Sequence, residues 1–181
     1  MPRGETKSEI SRIKQDTFES LFHEHEASLF RYIRHLAGSS GLVEDIYQEV
    51  WLRIAGHINS GKEIRNFKSF IFTIATNIFR DELRRLQIRR FFLGPAVDEE
   101  FPDQIWVSSN QPDAFDLSDA LETALRKLST KQRIMFCLSY IEGFKISEIS
   151  RLMSCAQGTV KATIYKAVQK LRRELHEYNR V

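Results

Sequence analysis

The sequence predicts an all-α protein built as two small helical domains joined by a flexible acidic linker, the second containing a helix-turn-helix. Three observations carry this expectation. Apolar residues recur at three-and-four spacing through most of the chain, and no stretch alternates with period two over a useful length, so helices are expected and strands are not. Residues 91–116 break the pattern: they hold no Lys or Arg, carry Asp98, Glu99, Glu100, Asp103, Asp113 and Asp116, and are interrupted by Pro95, Pro102 and Pro112. Past that stretch, a short apolar-striped segment, a tight turn and a longer basic amphipathic segment follow one another, the outline of a helix-turn-helix.

The first domain is expected over residues 15–90. Its first stripe is Phe18, Leu21, Phe22, Leu29, Tyr32, Ile33 and Leu36, and Gly38 and Gly41 end it. A second stripe runs Val43, Ile46, Tyr47, Val50, Trp51 and Ile54. Residues 56–65 are polar and Gly-containing and are expected as a loop. The third stripe, Phe67, Phe70, Ile71, Ile74, Ala75 and Ile78, leads into a basic end with Arg80, Arg84, Arg85, Arg89 and Arg90.

Residues 117–178 form the second expected domain. Leu117, Leu121, Ala124, Leu125 and Leu128 open it. Ser129 stands three residues before Gln132, the capping box that starts a further helix with Ile134, Cys137, Leu138 and Ile141 inward. Glu142, Gly143 and Phe144 break that helix. Ile146, Ile149, Leu152 and Met153 make a short one, residues 154–158 turn with Gly158 lending backbone freedom, and Val160, Ile164, Ala167, Val168, Leu171 and Leu175 line the last. Its opposite face carries Lys161, Ala162, Tyr165, Lys166, Gln169, Arg172 and Arg173. Such a face can enter a major groove, where long cations reach guanine edges or phosphates and Tyr165 offers apolar contact to a thymine methyl. A helical hairpin with a solvated basic face fits the pattern equally well.

Composition narrows the classes. Of 181 residues, 42% are hydrophobic and 28% charged, with a net charge of +3, values ordinary for a soluble globular protein. Cys137 and Cys155 stand alone without a CxxC or Cys/His cluster, so a reducing cytoplasm is expected and neither a disulfide framework nor a metal site is. His23 and His25 lie two apart and point to different faces of a helix, unlike a metal pair. No apolar run approaches the ~20 residues of a membrane span, and residues 1–14 have no apolar core of a signal peptide. No phosphate-cradling glycine loop and no nucleophile–base arrangement is found, so neither a cofactor nor catalysis is expected.

Residues Leu128 to Leu175 resemble the −35-reading domain of extracytoplasmic-function (group IV) sigma factors of the sigma-70 family. Leu128, Arg133, Glu148-Ile149 and Gly158-Thr159-Val160-Lys161 match the family pattern; Ala162-Thr163 and Lys166 depart from it, which bears on the −35 sequence read more than on the mode of binding. The stretch Val43 to Arg53 resembles the family's polymerase-docking helix, with Asp45, Gln48, Glu49 and Leu52 on one face. The stretch Phe67 to Asp81 resembles its −10 helix, with Asn77 and Asp81 in place and Phe70 where tryptophan is usual.

The resemblance covers residues 15–178 and implies a sigma factor that directs core RNA polymerase to specific promoters, with no activity as an enzyme. It implies docking through Asp45, Gln48, Glu49, Leu52 and Arg53; −10 contacts by Lys62, Arg65, Asn77, Arg80, Arg84 and Arg85; and −35 contacts by Thr159, Lys161, Ala162, Tyr165, Lys166 and Arg172. The implied partners are the polymerase β′ coiled coil and β flap, promoter DNA, and an anti-sigma factor of a soluble or membrane-anchored kind. The rival reading is a stand-alone helix-turn-helix regulator, which needs a dimer interface; no spare apolar stripe offers one.

Overall fold

The computed structural model describes residues 7–38, 41–62, 64–93 and 117–178. Among them the chain forms seven α-helices and one π-helical turn, and no strand: α1 (Lys7–Ala37), α2 (Leu42–Asn59), α3 (Phe67–Leu93), α4 (Leu117–Arg126), α5 (Thr130–Phe136), the π-turn (Cys137–Ile141), α6 (Ile146–Leu152) and α7 (Gln157–Tyr178). The acidic stretch expected as a linker lies, from residue 94 on, outside the described residues; α3 itself continues through Leu93.

The first half is a three-helix unit. The stripes read from the sequence become its core: Leu29, Tyr32, Ile33 and Leu36 of α1 pack with Val43, Ile46, Val50, Trp51 and Ile54 of α2 and with Ile71, Phe72, Ala75, Ile78 and Phe79 of α3. One polar bridge pins α1 to α3 inside this core. Tyr32 and Thr76 share a hydrogen bond of 2.8 Å, and the Thr76 hydroxyl donates to the Phe72 carbonyl at 2.7 Å, so the Tyr32 hydroxyl is the donor to Thr76. Burial pushes the Tyr32 hydroxyl far above its ordinary titration range, which keeps it a donor. α1 ends where Gly38, at φ 80, takes the left-handed conformation that closes a helix C-terminus.

The 56–65 loop of the sequence reading is shorter in the structure. α2 runs on to Asn59, because His57 packs on the Phe70 ring at 4.6 Å and Ile58 joins the core edge, and these contacts outweigh the helix-weakening Gly56. The chain then turns at Ser60 and at Gly61, whose φ is 71. Asn66 starts α3: its side-chain oxygen accepts the Ser69 N–H at 2.8 Å.

The second half is α4–α7. The capping box is formed, with Ser129 N–H donating to Gln132 Oε1 at 3.0 Å and Gln132 N–H to Ser129 Oγ at 3.4 Å. Val160, Ile164, Ala167 and Leu171 of α7 are buried against Ile134, Leu138, Ile149 and Leu152. Gly158 does not serve the turn. It sits in the first turn of α7, and the left-handed position of the turn is taken by Ser154 at φ 49. The turn is held instead by the Ser150 hydroxyl on the Cys155 carbonyl.

The two halves touch. Arg34 of α1 meets Glu122 of α4 at 2.7 Å. Lys68, in the first turn of α3, donates to the Glu142 carbonyl and lies over the Phe144 ring, 5.1 Å from its centre. Phe144 in turn packs edge-on to Phe72 at 5.4 Å.

Candidate protein and nucleic-acid interfaces

The outer face of α2 is the first candidate. At about 100° per residue, Asp45, Gln48 and Leu52 point directly away from the Val50–Ile54 stripe. All three are exposed, and Leu52 keeps 67% of its surface in water, an unusual exposure for a leucine on a well-packed helix. Glu49 and Arg53 flank them and hold one another at 2.7 Å. Glu44 and Asp45 in the first turn also favour the positive end of the helix dipole. An apolar knob ringed by carboxylates and an amide suits a protein partner carrying arginines.

A groove of about 430 Å³ between α2 and α3 borders this face, lined by Asp45, Glu49 and Arg53 from α2 and by Asp81, Glu82 and Arg85 from α3. Arg85 pairs with Glu82 at 2.6 Å. The structure therefore brings Arg85 to the edge of the α2 face, away from the other α3 residues with which the sequence grouped it.

Those others form the second candidate. Asn77, Arg80 and Arg84 are exposed and lie opposite the buried stripe of Ile71, Phe72, Ala75 and Phe79. Arg84 is steadied by Asp81 at 3.0 Å, so Asp81 acts within the helix surface as an orienting acid. Lys62 and Arg65 are exposed on the segment that leads into α3. The phenylalanines are structural: Phe72 is fully buried, Phe67 stacks on His25 at 5.2 Å and Phe70 packs on His57. Cations flanking an exposed carboxamide can hold a phosphate backbone and read a base edge.

The third candidate is the outer face of α7. Thr159, Lys161, Ala162, Tyr165, Lys166 and Arg172 are all exposed, Tyr165 at 65%. Lys161 and Lys166 sit on opposite flanks of this face with Ala162 and Tyr165 between them, a geometry that presents a small and an aromatic group to base edges and a cation to each side.

Sequence reasoning missed several residues. Arg133 is 1% exposed, and its charge is buried in α5 beside Cys137. The Cys137 thiol is pushed up to about 12 by burial, so it stays protonated at neutral pH and is not a nucleophile. Cys155 is half-buried at the turn before α7 and is free. Lys68, Arg34, Glu122 and Glu142, which meet between the halves, gave no periodic signal because each is a single polar residue on an otherwise ordinary face. His35, at the inner end of α1, is held below its ordinary range by burial. No helix among the described residues is long and apolar enough to cross a membrane.

Comparison with known proteins bears on all three faces. The model of sigma-70 region 2 matches residues 21–89 and that of sigma-70 region 4 matches residues 118–171. Among curated proteins, the chain is 32% identical over 164 residues to the ECF RNA polymerase sigma factor SigL of Mycobacterium tuberculosis, covering 87% of this chain and 88% of that one. It is 25% identical to the ECF RNA polymerase sigma factor SigW of Bacillus subtilis, across 94% of this chain and 97% of that one. Among solved structures, it resembles in fold the sigma factor RpoE of Bartonella quintana, crystallised with the anti-sigma factor NepR, with a TM-score of 0.72 at 24% identity over 88% of this chain and 97% of that one. It likewise resembles CnrH, solved with the cytosolic domain of CnrY, at a TM-score of 0.62 and 19% identity over 93% and 95%.

Proposed function

The chain belongs to the sigma-70 family and is an alternative RNA polymerase sigma factor of the extracytoplasmic-function type, and from that premise we propose how its surface divides the work. The outer face of α2, Asp45, Gln48, Glu49, Leu52 and Arg53, docks on the core polymerase. Arg85 belongs to the edge of that docking face. Asn77, Arg80 and Arg84, with Lys62 and Arg65, hold and read the melted −10 element. Thr159, Lys161, Ala162, Tyr165, Lys166 and Arg172 read the −35 element from the major groove.

The observation that carries this reading is that three polar faces, one acidic–apolar and two cationic, stand exposed on the two matched regions of one chain. The protein binds and positions; it performs no catalysis of its own and works in the cytoplasm, where the polymerase is. An anti-sigma factor is its regulator, in keeping with the partners named for its structural neighbours. A stand-alone helix-turn-helix regulator leaves the region 2 match without a purpose.

The test is an electrophoretic shift of promoter DNA with and without core polymerase. Two modest cationic faces gain by being held together, roughly 100-fold or more when both engage. The free protein is therefore expected to bind weakly and the holoenzyme tightly. Tight sequence-specific binding by the free chain would turn the reading toward the regulator.

A further inference from the structure

The contact between the halves is built from complementary charge. Glu122 and Glu142 on the second half are both nearly buried. Glu122 is bonded to Arg34. The Glu142 carboxyl faces Arg31 and Lys68, its Oε1 has no hydrogen-bond partner, and its pKa is raised by burial. Lys68 closes the contact from the other side through the Glu142 carbonyl and the Phe144 ring.

This contact leaves the DNA faces open. Around α3, Asn77 and Arg84 stand about 160–180° from Lys68 and Phe72, and every residue assigned to the −10 and −35 elements is exposed while the halves touch. What the contact limits is reach. A compact chain of 181 residues has a radius of gyration of about 16 Å and so a diameter near 40 Å. Elements whose names place them about 25 base pairs apart lie roughly 85 Å apart along the duplex. The 23 residues between α3 and α4 can extend to about 80 Å, which with the width of each half is ample.

Resting on the sigma-factor reading above, we propose that the Arg34–Glu122 and Lys68–Glu142–Phe144 contacts form a reversible latch that restrains the protein by span and not by covering its DNA faces. The latched chain can meet one promoter element at a time; reading both requires it to open.

Two measurements on the full chain decide this. Small-angle scattering of the free protein should give a radius of gyration near 16 Å, about the compact value. The variant Arg34→Glu with Lys68→Glu, which changes only surface residues of the first half, should be expanded at an unchanged melting temperature. Equal radii for the two proteins would remove the latch. In the second experiment, Lys68→Cys and Lys145→Cys in a Cys155→Ser background are joined by a short bismaleimide, and the linked protein is assembled with core polymerase. It should bind a single-stranded −10 oligonucleotide within about 2-fold of the unlinked protein, yet lose roughly 100-fold on a duplex carrying both elements. Full retention on the duplex would show that opening is not needed. Loss on the oligonucleotide as well would show that the contact acts by covering, which overturns the span argument. Failure of the unlinked protein with core on either DNA would instead sink the sigma-factor reading itself.

Discussion

Leu52 offers the most direct test of the docking face. Full burial of a leucine side chain is worth about 1.5–3 kcal/mol relative to leaving it in water. In the free protein Leu52 leaves 67% of its surface exposed, so about two thirds of that amount, ~1–2 kcal/mol, is still to be gained when a partner covers it. Leu52→Ala should therefore weaken binding to core polymerase by about 5- to 30-fold. Because the side chain makes little contact in the free fold, stability should change by less than about 0.5 kcal/mol. Competition against a fluorescent sigma factor for core gives the affinity, and a thermal melt gives the stability. Wild-type affinity in the mutant would mean that the partner does not cover α2 at this point. A melting temperature lowered by many degrees would mean that Leu52 supports the fold, and the argument from exposure would fail.

The other faces have their own expected outcomes. Asn77→Ala should reduce promoter opening, read by permanganate reactivity of unpaired thymines, while closed complexes still form; equal opening would remove Asn77 from base reading. Lys161→Ala and Lys166→Ala, measured against a −35 library at several salt concentrations, should separate two roles: a base reader costs about 1–3 kcal/mol at one position, and a phosphate clamp weakens every sequence alike and lowers the salt slope by about one. Tyr32→Phe removes the buried donor to Thr76 and should cost about 0.5–1.5 kcal/mol in a chemical denaturation series, with core affinity unchanged.

The helices were legible because each buries a stripe at helical spacing, and the stripes from Val43 to Ile54 and from Val160 to Leu171 became the core almost residue for residue. Where the reading departed from the structure, long-range contact decided the matter. The end of α2 is set by Phe70, thirteen residues beyond His57, and a polar Gly-containing run cannot announce such a neighbour. The same holds for Arg85. Composition groups it with Arg80 and Arg84, and only its angle on α3 directs it to Glu82 and the α2 groove. Gly158 attracted attention as the glycine nearest the turn, although Ser154 bears the positive φ. The meeting of the halves rests on two ion-pairing acids and one aromatic ring, separated in sequence from their partners by 70 residues and more, and no local pattern encodes it.

The π-turn at Cys137–Ile141 carries a consequence for how the protein can change over generations. Its marks are the Glu142 N–H donating to the Cys137 carbonyl at 3.0 Å, five residues back, and the Phe144 N–H donating to the Leu138 carbonyl at 2.8 Å. A π-turn holds one residue more than the α-helical turn it replaces. Loss of a single codon within it would restore α-helical pairing, and everything that follows would be rotated by about 100° and drawn back by about 1.5 Å. Glu142 and Phe144 would then leave Lys68 and Phe72, while α7 would keep its own sequence and exposed face. Insertions and deletions at this turn are thus a hereditary route to altering the coupling between the halves without touching a residue that reads DNA.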